Sequence, residues 1–111
     1  MARTVWRVRD RATFVELRRR GRRVRRGPVS VTFVANGSSE PPKVAYAVGS
    51  RVGNAVGRNR LRRRLRAVVA DLAPEMRPGA YLVGVAPAAA DLPFGELKAV
   101  VSQALRAVNE E

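Results

Sequence analysis

Residues 53–66 read GNAVGRNRLRRRLR, and six of these fourteen residues are arginines. When residues are placed at about 100° intervals along a helix, one narrow apolar stripe results: Leu61, Leu65, Val68 and Leu72. The planar guanidinium of arginine is well suited to binding paired phosphate oxygens. The stretch therefore predicts a helix that is anchored by one flank and binds a polyanion with the other.

The opposite flank of this helix is almost entirely basic. We expect it to face solvent as one arc: Asn59, Arg60, Arg62, Arg63, Arg64 and Arg66. Arg58 lies beside the apolar edge, where its long stem can still carry the charge outward. A solvated helix face normally mixes both signs of charge, but no acidic residue occurs between Asn54 and Ala70. Nucleic acid is therefore a better explanation of the flank than solvation alone.

The residues before the helix also favour an anion. Asn54 is the predicted N-cap. Gly53 and Gly57 allow another molecule to approach the backbone closely. The free N–H groups at a helix N-terminus attract phosphate.

The composition limits the kinds of function that are open to the chain. It has 111 residues, enough for one domain, and its 22 basic and 9 acidic residues give a net charge of +13. Such a charge favours a nucleic-acid partner, with an anionic membrane surface second. Cysteine and histidine are absent, and the scattered acids form no catalytic or metal-binding constellation. The chain has no apolar run of about 18 residues and no secretory signal, so we expect a cytoplasmic protein.

The elements that must position these residues follow in the order α-β-β-α-β-α, as a single α+β domain over residues 1–111. Asp10 caps a first helix that ends near Arg20, before Gly21. Two alternating strands follow, in VSVTFVA and KVAYAVGS, and we expect them to pair antiparallel because they are neighbours in sequence. The apolar run AYLVGVA predicts a strand that is covered on both faces or buried centrally, and a last amphipathic helix starts near Phe94. The sequence leaves the order of residues 1–9 open, and Trp6 either packs on the first helix or stacks on RNA.

Small and hydroxyl-bearing residues lie together on one face of the two early strands. Ala45, Ala47 and Gly49 would bring the backbone close to the surface, and Ser30 and Thr32 add hydroxyls. The face is either a shallow polar cleft or an ordinary sheet face that is exposed or covered by a helix.

The segment Val52–Arg66, VGNAVGRNRLRRRLR, resembles the signature of the bacterial ribonuclease P protein subunit, and the order of elements resembles that family over most of the chain. The resemblance implies a fold similar to ribosomal protein S5 domain 2, with a left-handed crossover through the signature helix. It also implies that the protein binds a large catalytic RNA and the 5′ leader of precursor tRNA. The RNA and its bound Mg²⁺ would carry out leader removal, with no catalytic or metal-binding residue on the protein.

The resemblance assigns residues to two surfaces. The surface for the RNA subunit would comprise Arg51, Gly53, Asn54, Arg58, Asn59, Arg60, Arg62, Arg63 and Arg66. The cleft for the leader would comprise Phe14, Arg18, Ser30, Thr32, Ala47 and Gly49. Three positions depart from the family pattern: Arg18 replaces a second aromatic, Ser50-Arg51 replaces a basic pair, and Val85–Ala88 lacks basic residues. We therefore expect the cleft to use arginine more than aromatic stacking.

Two other classes of function fit parts of the pattern. A ribosomal structural protein would share the basic, histidine-free α+β character. A DNA-binding module would place the arginine helix in the major groove, although the basic arc is wider than a recognition face needs. A membrane-surface helix would carry aromatics on its apolar side, and this helix carries none.

Overall fold

The computed structural model describes residues 5–35, 37 and 40–110. The start of the basic N-terminal stretch, part of the predicted loop after the first alternating strand, and residue 111 lie outside these ranges. The described strands are β1 (Trp6–Arg7), β2 (Arg22–Arg26), β3 (Val29–Val34), β4 (Lys43–Ala47) and β5 (Ala80–Val85). The described α-helices are α1 (Arg11–Arg20), α2 (Ala55–Leu72) and α3 (Phe94–Asn109). Short 3₁₀ helices span Ser50–Val52, Ala73–Glu75 and Pro87–Asp91.

The strands form one mixed sheet in the order β1-β4-β5-β3-β2. The α+β prediction with a single sheet is confirmed. The predicted antiparallel pairing of the two alternating strands, β3 and β4, is wrong, because β5 lies between them. β5 pairs antiparallel with β3 and parallel with β4. The prediction assumed that strands close in sequence pair, which does not hold when a more apolar strand occupies the centre.

The burial of β5 was predicted from its almost continuous apolar run. Tyr81 and Val83 are fully buried, and the Tyr81 ring stacks on Phe33 of β3 at a centroid distance of 4.6 Å. The chain enters β5 from β4 through α2, so two parallel neighbours are joined by the signature helix. This is the crossover that the resemblance implies, and its left hand stays a prediction.

Helices cover the two faces of the sheet unequally. α2 and α3 pack together on the face that carries Val29, Val31 and Val83, where they form the main core. α1 packs on the other face, where Leu17 contacts a smaller apolar cluster. α1 covers only part of that sheet face.

The ends of α1 are fixed by local contacts. Asp10 is the N-cap, because its carboxylate accepts the backbone N–H of Thr13 at 2.9 Å. The hydroxyl of Thr13 also donates to this carboxylate, and these hydrogen bonds lower the pKa of Asp10 below its usual value. At the other end, a Cβ on Gly21 would collide with the Leu17 carbonyl oxygen and lie 2.5 Å from Thr32 Cγ2. Glycine therefore lets α1 end directly against β3.

Two strands were missed by the sequence prediction, β1 and β2. β1 has two residues, and its Trp6 backbone N–H donates to the Pro42 carbonyl at 2.8 Å. Trp6 is 42% exposed, and the centre of its ring lies 6.0 Å from the Lys43 ammonium. β2 reads RRVRR, and Val24 is its one apolar residue. Neither segment has enough apolar alternation to predict a strand by itself.

Candidate nucleic-acid interface

The turn before α2 is open to an outside molecule. Asn54 caps α2 as predicted, since its Oδ1 accepts the backbone N–H of Gly57 at 2.9 Å. A Cβ added to Gly53 would meet nothing within 4 Å. Arg51 is exposed in the preceding 3₁₀ helix. The surface around the N-terminus of α2 therefore carries three residues predicted to contact the RNA subunit: Arg51, Gly53 and Asn54. The free N–H groups of this helix end favour an anion.

The apolar flank of α2 is buried as its spacing predicted. Leu65 and Val68 are fully buried, and Leu61 and Leu72 join the same core. Fully burying one leucine stabilises the fold by roughly 1.5–3 kcal/mol. The orientation of α2 is therefore fixed by its core contacts, and this determines where the opposite flank points.

Three arginines extend from the opposite flank into solvent: Arg60, Arg63 and Arg66. In the described part of the chain, Arg60 and Arg63 form no hydrogen bond or ion pair. The guanidinium of Arg66 lies 5.9 Å from the centre of the Tyr46 ring. Burial raises the pKa of Tyr46 to about 12, although the Arg66 charge opposes the shift. The exposed flank thus presents free cations beside a neutral aromatic ring.

Arg62 differs from its exposed neighbours, so the prediction that it faces solvent with the rest of the arc is wrong. It is half-buried, and it donates to Asn59 Oδ1 at 3.0 Å and to the Val48 carbonyl at 3.3 Å. Asn59 itself is exposed. These contacts tie the start of the basic flank to the end of β4.

The prediction that Arg64 faces solvent with the arc is wrong. Arg64 is half-buried, and its Nη2 donates to the Leu92 carbonyl at 2.6 Å. Its guanidinium also lies 6.0 Å from the centre of the Phe94 ring. The segment that precedes α3 therefore holds Arg64, and the solvent-facing arc is narrower than predicted.

Arg58 has a buried donor that needs a partner. Its Nε is buried and has no hydrogen-bond partner among the residues that the structure describes. The residue is half-buried, so part of its stem lies against the protein. The prediction that the stem carries the charge outward stays a prediction. An unsatisfied buried donor costs roughly 1–3 kcal/mol.

The α2 arginines are not neutralised by carboxylates within the described chain. Among the described residues, ion pairs join Arg20 to Glu16 at 3.1 Å, Lys98 to Asp71 at 3.2 Å, and Arg106 to Glu75 at 3.2 Å. All six side chains lie outside the arginine stretch of α2. The positive charge of the basic flank is therefore not neutralised by carboxylates of the described residues.

A groove of about 560 Å³ lies between α1 and the sheet face that α1 only partly covers. It contains four of the six residues predicted for the leader cleft: Arg18, Ser30, Thr32 and Ala47. Ala47, Gly84 and Ser30 are register partners across β4, β5 and β3. A Cβ on Gly84 would lie 3.0 Å from the Ser30 hydroxyl. Glycine at this position therefore avoids crowding at the base of the groove. The geometry of this face therefore favours a shallow cleft over an ordinary sheet face.

Phe14 and Gly49 do not line this groove. Phe14 lines a second groove of about 620 Å³, together with Trp6, Tyr46 and Arg66. Gly49 is exposed just after β4, and a Cβ there would meet nothing within 4 Å. The predicted cleft residues are therefore divided between two surfaces. Contact of Phe14 and Gly49 with a leader stays a prediction.

Sequence reasoning missed the residues that β2 and β5 contribute to the groove. Arg23, Arg25 and Leu82 line it, and Arg23 and Arg25 are cross-strand partners of Thr32 and Ser30. The alternation of arginine around Val24 was the available signal. It was weak because only one apolar residue marks the strand.

Two absences hold for the described residues. No group of three or more acidic side chains in those ranges lies close enough to hold a metal ion. No helix among them combines the length and apolar character needed to span a membrane.

Comparisons with known proteins agree on one family. The family model described as Ribonuclease P matches residues 2–109. A ribonuclease P protein component from Symbiobacterium thermophilum is 37% identical over 99 residues, which cover 88% of this chain and 86% of the relative. One from Thermobifida fusca is 41% identical over 110 residues, which cover 92% of this chain and 75% of the relative.

Solved structures agree on the fold. The Staphylococcus aureus RNase P protein aligns with a TM-score of 0.85 at 19% identity, covering 96% of this chain and 97% of that one. The Thermotoga maritima RNase P protein aligns with a TM-score of 0.83 at 19% identity, covering 94% of this chain and 98% of that one. At this identity the likeness supports the shared architecture only.

Proposed function

Because this chain belongs to the ribonuclease P protein component family, we propose that it binds the catalytic RNA of ribonuclease P and the 5′ leader of precursor tRNA. In this proposal α2 contacts the RNA subunit, and the groove under α1 holds the single-stranded leader. The protein would act in the cytoplasm as a non-catalytic subunit in leader removal.

The observation that carries the proposal is the division of α2 into two flanks. Its leucines are buried in the core, whereas Arg60, Arg63 and Arg66 are exposed and lack carboxylate partners in the described chain. Phosphate contacts fix the orientation of a protein on a nucleic acid without reading its sequence. A rigid arginine flank suits the folded backbone of a large RNA.

The groove suits a single strand for different reasons. The residues at its base have small, mildly polar or apolar side chains: Ser30, Gly84 and Ala47. A nucleic-acid strand can therefore lie close to the sheet. Arg18 lies at its wall where the family often has an aromatic residue, and a guanidinium can cover a base as well as bind phosphate. Contact with the leader would let the enzyme distinguish the precursor from the mature product, which lacks that strand.

The proposal assigns the chemistry to the RNA and its Mg²⁺. In the described ranges the acidic residues form no cluster that fits a metal ion, and the chain has no histidine to act as a general base. The side chains in those ranges therefore do not support a metal centre held by the protein alone. Their role is to neutralise phosphate and to position the two RNAs.

Reconstitution tests the proposal. The chain is mixed with a ribonuclease P RNA at low Mg²⁺, and cleavage of precursor tRNA is followed. We expect the protein to stimulate cleavage, and we expect the Arg60→Ala/Arg63→Ala variant to stimulate it less. A matched control, Lys98→Ala/Arg106→Ala, removes two charges from α3 and should behave as the unchanged protein. If the unchanged protein does not stimulate cleavage, the alternative function of a ribosomal structural protein is favoured instead.

The leader assignment has its own test. Affinity of the reconstituted enzyme is compared for precursor tRNA and for tRNA without a leader, at several monovalent salt concentrations. Each phosphate neutralised on a single strand adds about −0.7 to the slope of log affinity against log salt. Arg18→Ala should therefore reduce the slope for the precursor and leave that for leaderless tRNA unchanged. An equal response of both substrates contradicts the groove assignment.

A further inference from the structure

Residues 18–26 form a second concentration of arginine, separate from α2. They read RRRGRRVRR, so seven of nine residues are arginines. Arg20 is paired with Glu16, and Arg22 donates to the Glu110 backbone carbonyl. Arg18 and Arg23 form no hydrogen bond or ion pair within the described residues. Within the described residues, acidic side chains therefore neutralise only a small part of this charge.

The alternation of β2 divides its side chains between the two faces of the sheet. Val24 pairs with Val31 and packs toward the main core. Arg23 and Arg25 therefore point to the opposite face, where both line the groove. β2 is the last strand of the sheet, so this side of the groove opens to solvent.

The strand register defines a path across the groove. Ala47, Gly84, Ser30 and Arg25 are successive partners across β4, β5, β3 and β2. At about 4.8 Å per strand, the three steps from Ala47 to Arg25 span roughly 14 Å. The path begins over small residues and ends at a guanidinium.

Charge is distributed unevenly along this path. The lining residues contributed by β4 and β5 carry no charge, and the charged side chains of the groove are Arg18, Arg23 and Arg25. Charged residues on an edge strand also prevent pairing with other chains, but either sign of charge would do that. Repeated arginine on the groove face instead indicates an anionic ligand.

We propose that the leader leaves the groove over β2, where Arg23 and Arg25 bind phosphates distal to the nucleotides that cross the groove floor. This extends the proposed function, because it requires that the groove holds the leader. In this proposal, the edge strand β2 determines how many leader nucleotides contribute to binding. The ligand is the single-stranded sugar-phosphate backbone, without regard to base.

The experiment measures affinity of the reconstituted enzyme for precursor tRNAs whose leaders lengthen by one nucleotide at a time. The unchanged protein should gain affinity at short lengths and again when the leader reaches β2. Arg23→Ala/Arg25→Ala should keep the early gains and lose the later ones. Its salt slope on long leaders should fall by about 1.4, so a fourfold rise in salt costs the unchanged protein about sevenfold more affinity than the variant.

Two further variants make the result specific. Lys98→Ala/Arg106→Ala removes the same number of charges from α3 and should keep all the gains. Arg23→Lys/Arg25→Lys keeps both charges and should retain most of the later gains, whereas a loss equal to the alanine variant contradicts phosphate binding at β2. Circular dichroism checks that each variant is folded.

Failure of the inference is distinguishable from failure of the proposed function. If Arg23→Ala/Arg25→Ala gains affinity at every length as the unchanged protein does, the exit over β2 is wrong while the groove assignment stands. If the unchanged protein gains nothing from a leader of any length, the groove assignment is wrong and the inference is lost with it.

Discussion

Replacing Arg60 and Arg63 together by alanine isolates the charge of the α2 flank from its role in the fold. Both side chains are exposed, and neither has a polar partner in the described chain. They are three residues apart, so they are neighbours on one face of the helix. Alanine is the strongest helix former, and surface changes of this kind alter the free energy of unfolding by about 0.5 kcal/mol or less. The variant should therefore fold normally.

The magnitude follows from counterion release. If each arginine neutralises one phosphate of a helical region, the slope of log affinity against log salt should fall by about 0.9 per residue, or about 1.8 for the pair. Over a fourfold rise in monovalent salt, the unchanged protein would lose about twelvefold more affinity for the RNA subunit than the variant. At low salt the variant should bind more weakly.

Titration of the RNA subunit with protein at a series of salt concentrations and fixed Mg²⁺ measures this slope. The control variant, Lys98→Ala/Arg106→Ala, changes the net charge equally but removes cations paired with carboxylates at 3.2 Å. Its slope should match that of the unchanged protein. The reasoning is refuted if the Arg60→Ala/Arg63→Ala slope is unchanged, or if the control lowers the slope as much.

Three other changes test single contacts. Arg58→Met should raise the free energy of unfolding by about 1 kcal/mol in denaturant titration, because it removes a buried donor without a described partner, and it should weaken RNA binding. Gly21→Ala should destabilise the fold by about 1–3 kcal/mol in the same assay, because a Cβ there collides with Leu17 and Thr32. Since burial raises the pKa of Tyr46 from 10.0 to about 12, stability should be lost as pH rises through that interval, and Tyr46→Phe should reduce the loss in thermal unfolding.

Each of these has a contrary result. Lower stability of Arg58→Met would mean that the stem packing outweighs the unsatisfied Nε. Gly95→Ala is the control for Gly21, because a Cβ there meets nothing within 4 Å and alanine favours the helix. Equal effects at both glycines would contradict the close approach of α1 to β3. An unchanged alkaline transition in Tyr46→Phe would remove Tyr46 as its cause.

The sequence predicted α2 well because one local pattern encodes both of its flanks. The leucine spacing determines which side is buried, and the side opposite Leu65 must then carry Arg60 and Arg63. Arg64 could not be placed this way. Its position depends on the Leu92 carbonyl, which lies 28 residues away in sequence, and helical periodicity says nothing about such a partner.

The sheet was predicted less completely for a similar reason. β5 was identified as buried because it is almost wholly apolar, but its insertion between β3 and β4 depends on long-range pairing. β2 carries its arginines on both faces, so its hydrogen bonds to β3 rather than its own pattern make it a strand. The groove residues Arg23 and Arg25 were missed with it.

Arginine-specific chemical modification, read by mass spectrometry, tests most directly which surface of the protein meets the RNA subunit. The protein is treated with a dicarbonyl reagent alone and in complex with the RNA. We predict that Arg60 and Arg63 lose reactivity in the complex, whereas Arg106 on α3 reacts equally in both. Continued reactivity of Arg60 and Arg63 in a complex that protects Arg106 would contradict the central claim.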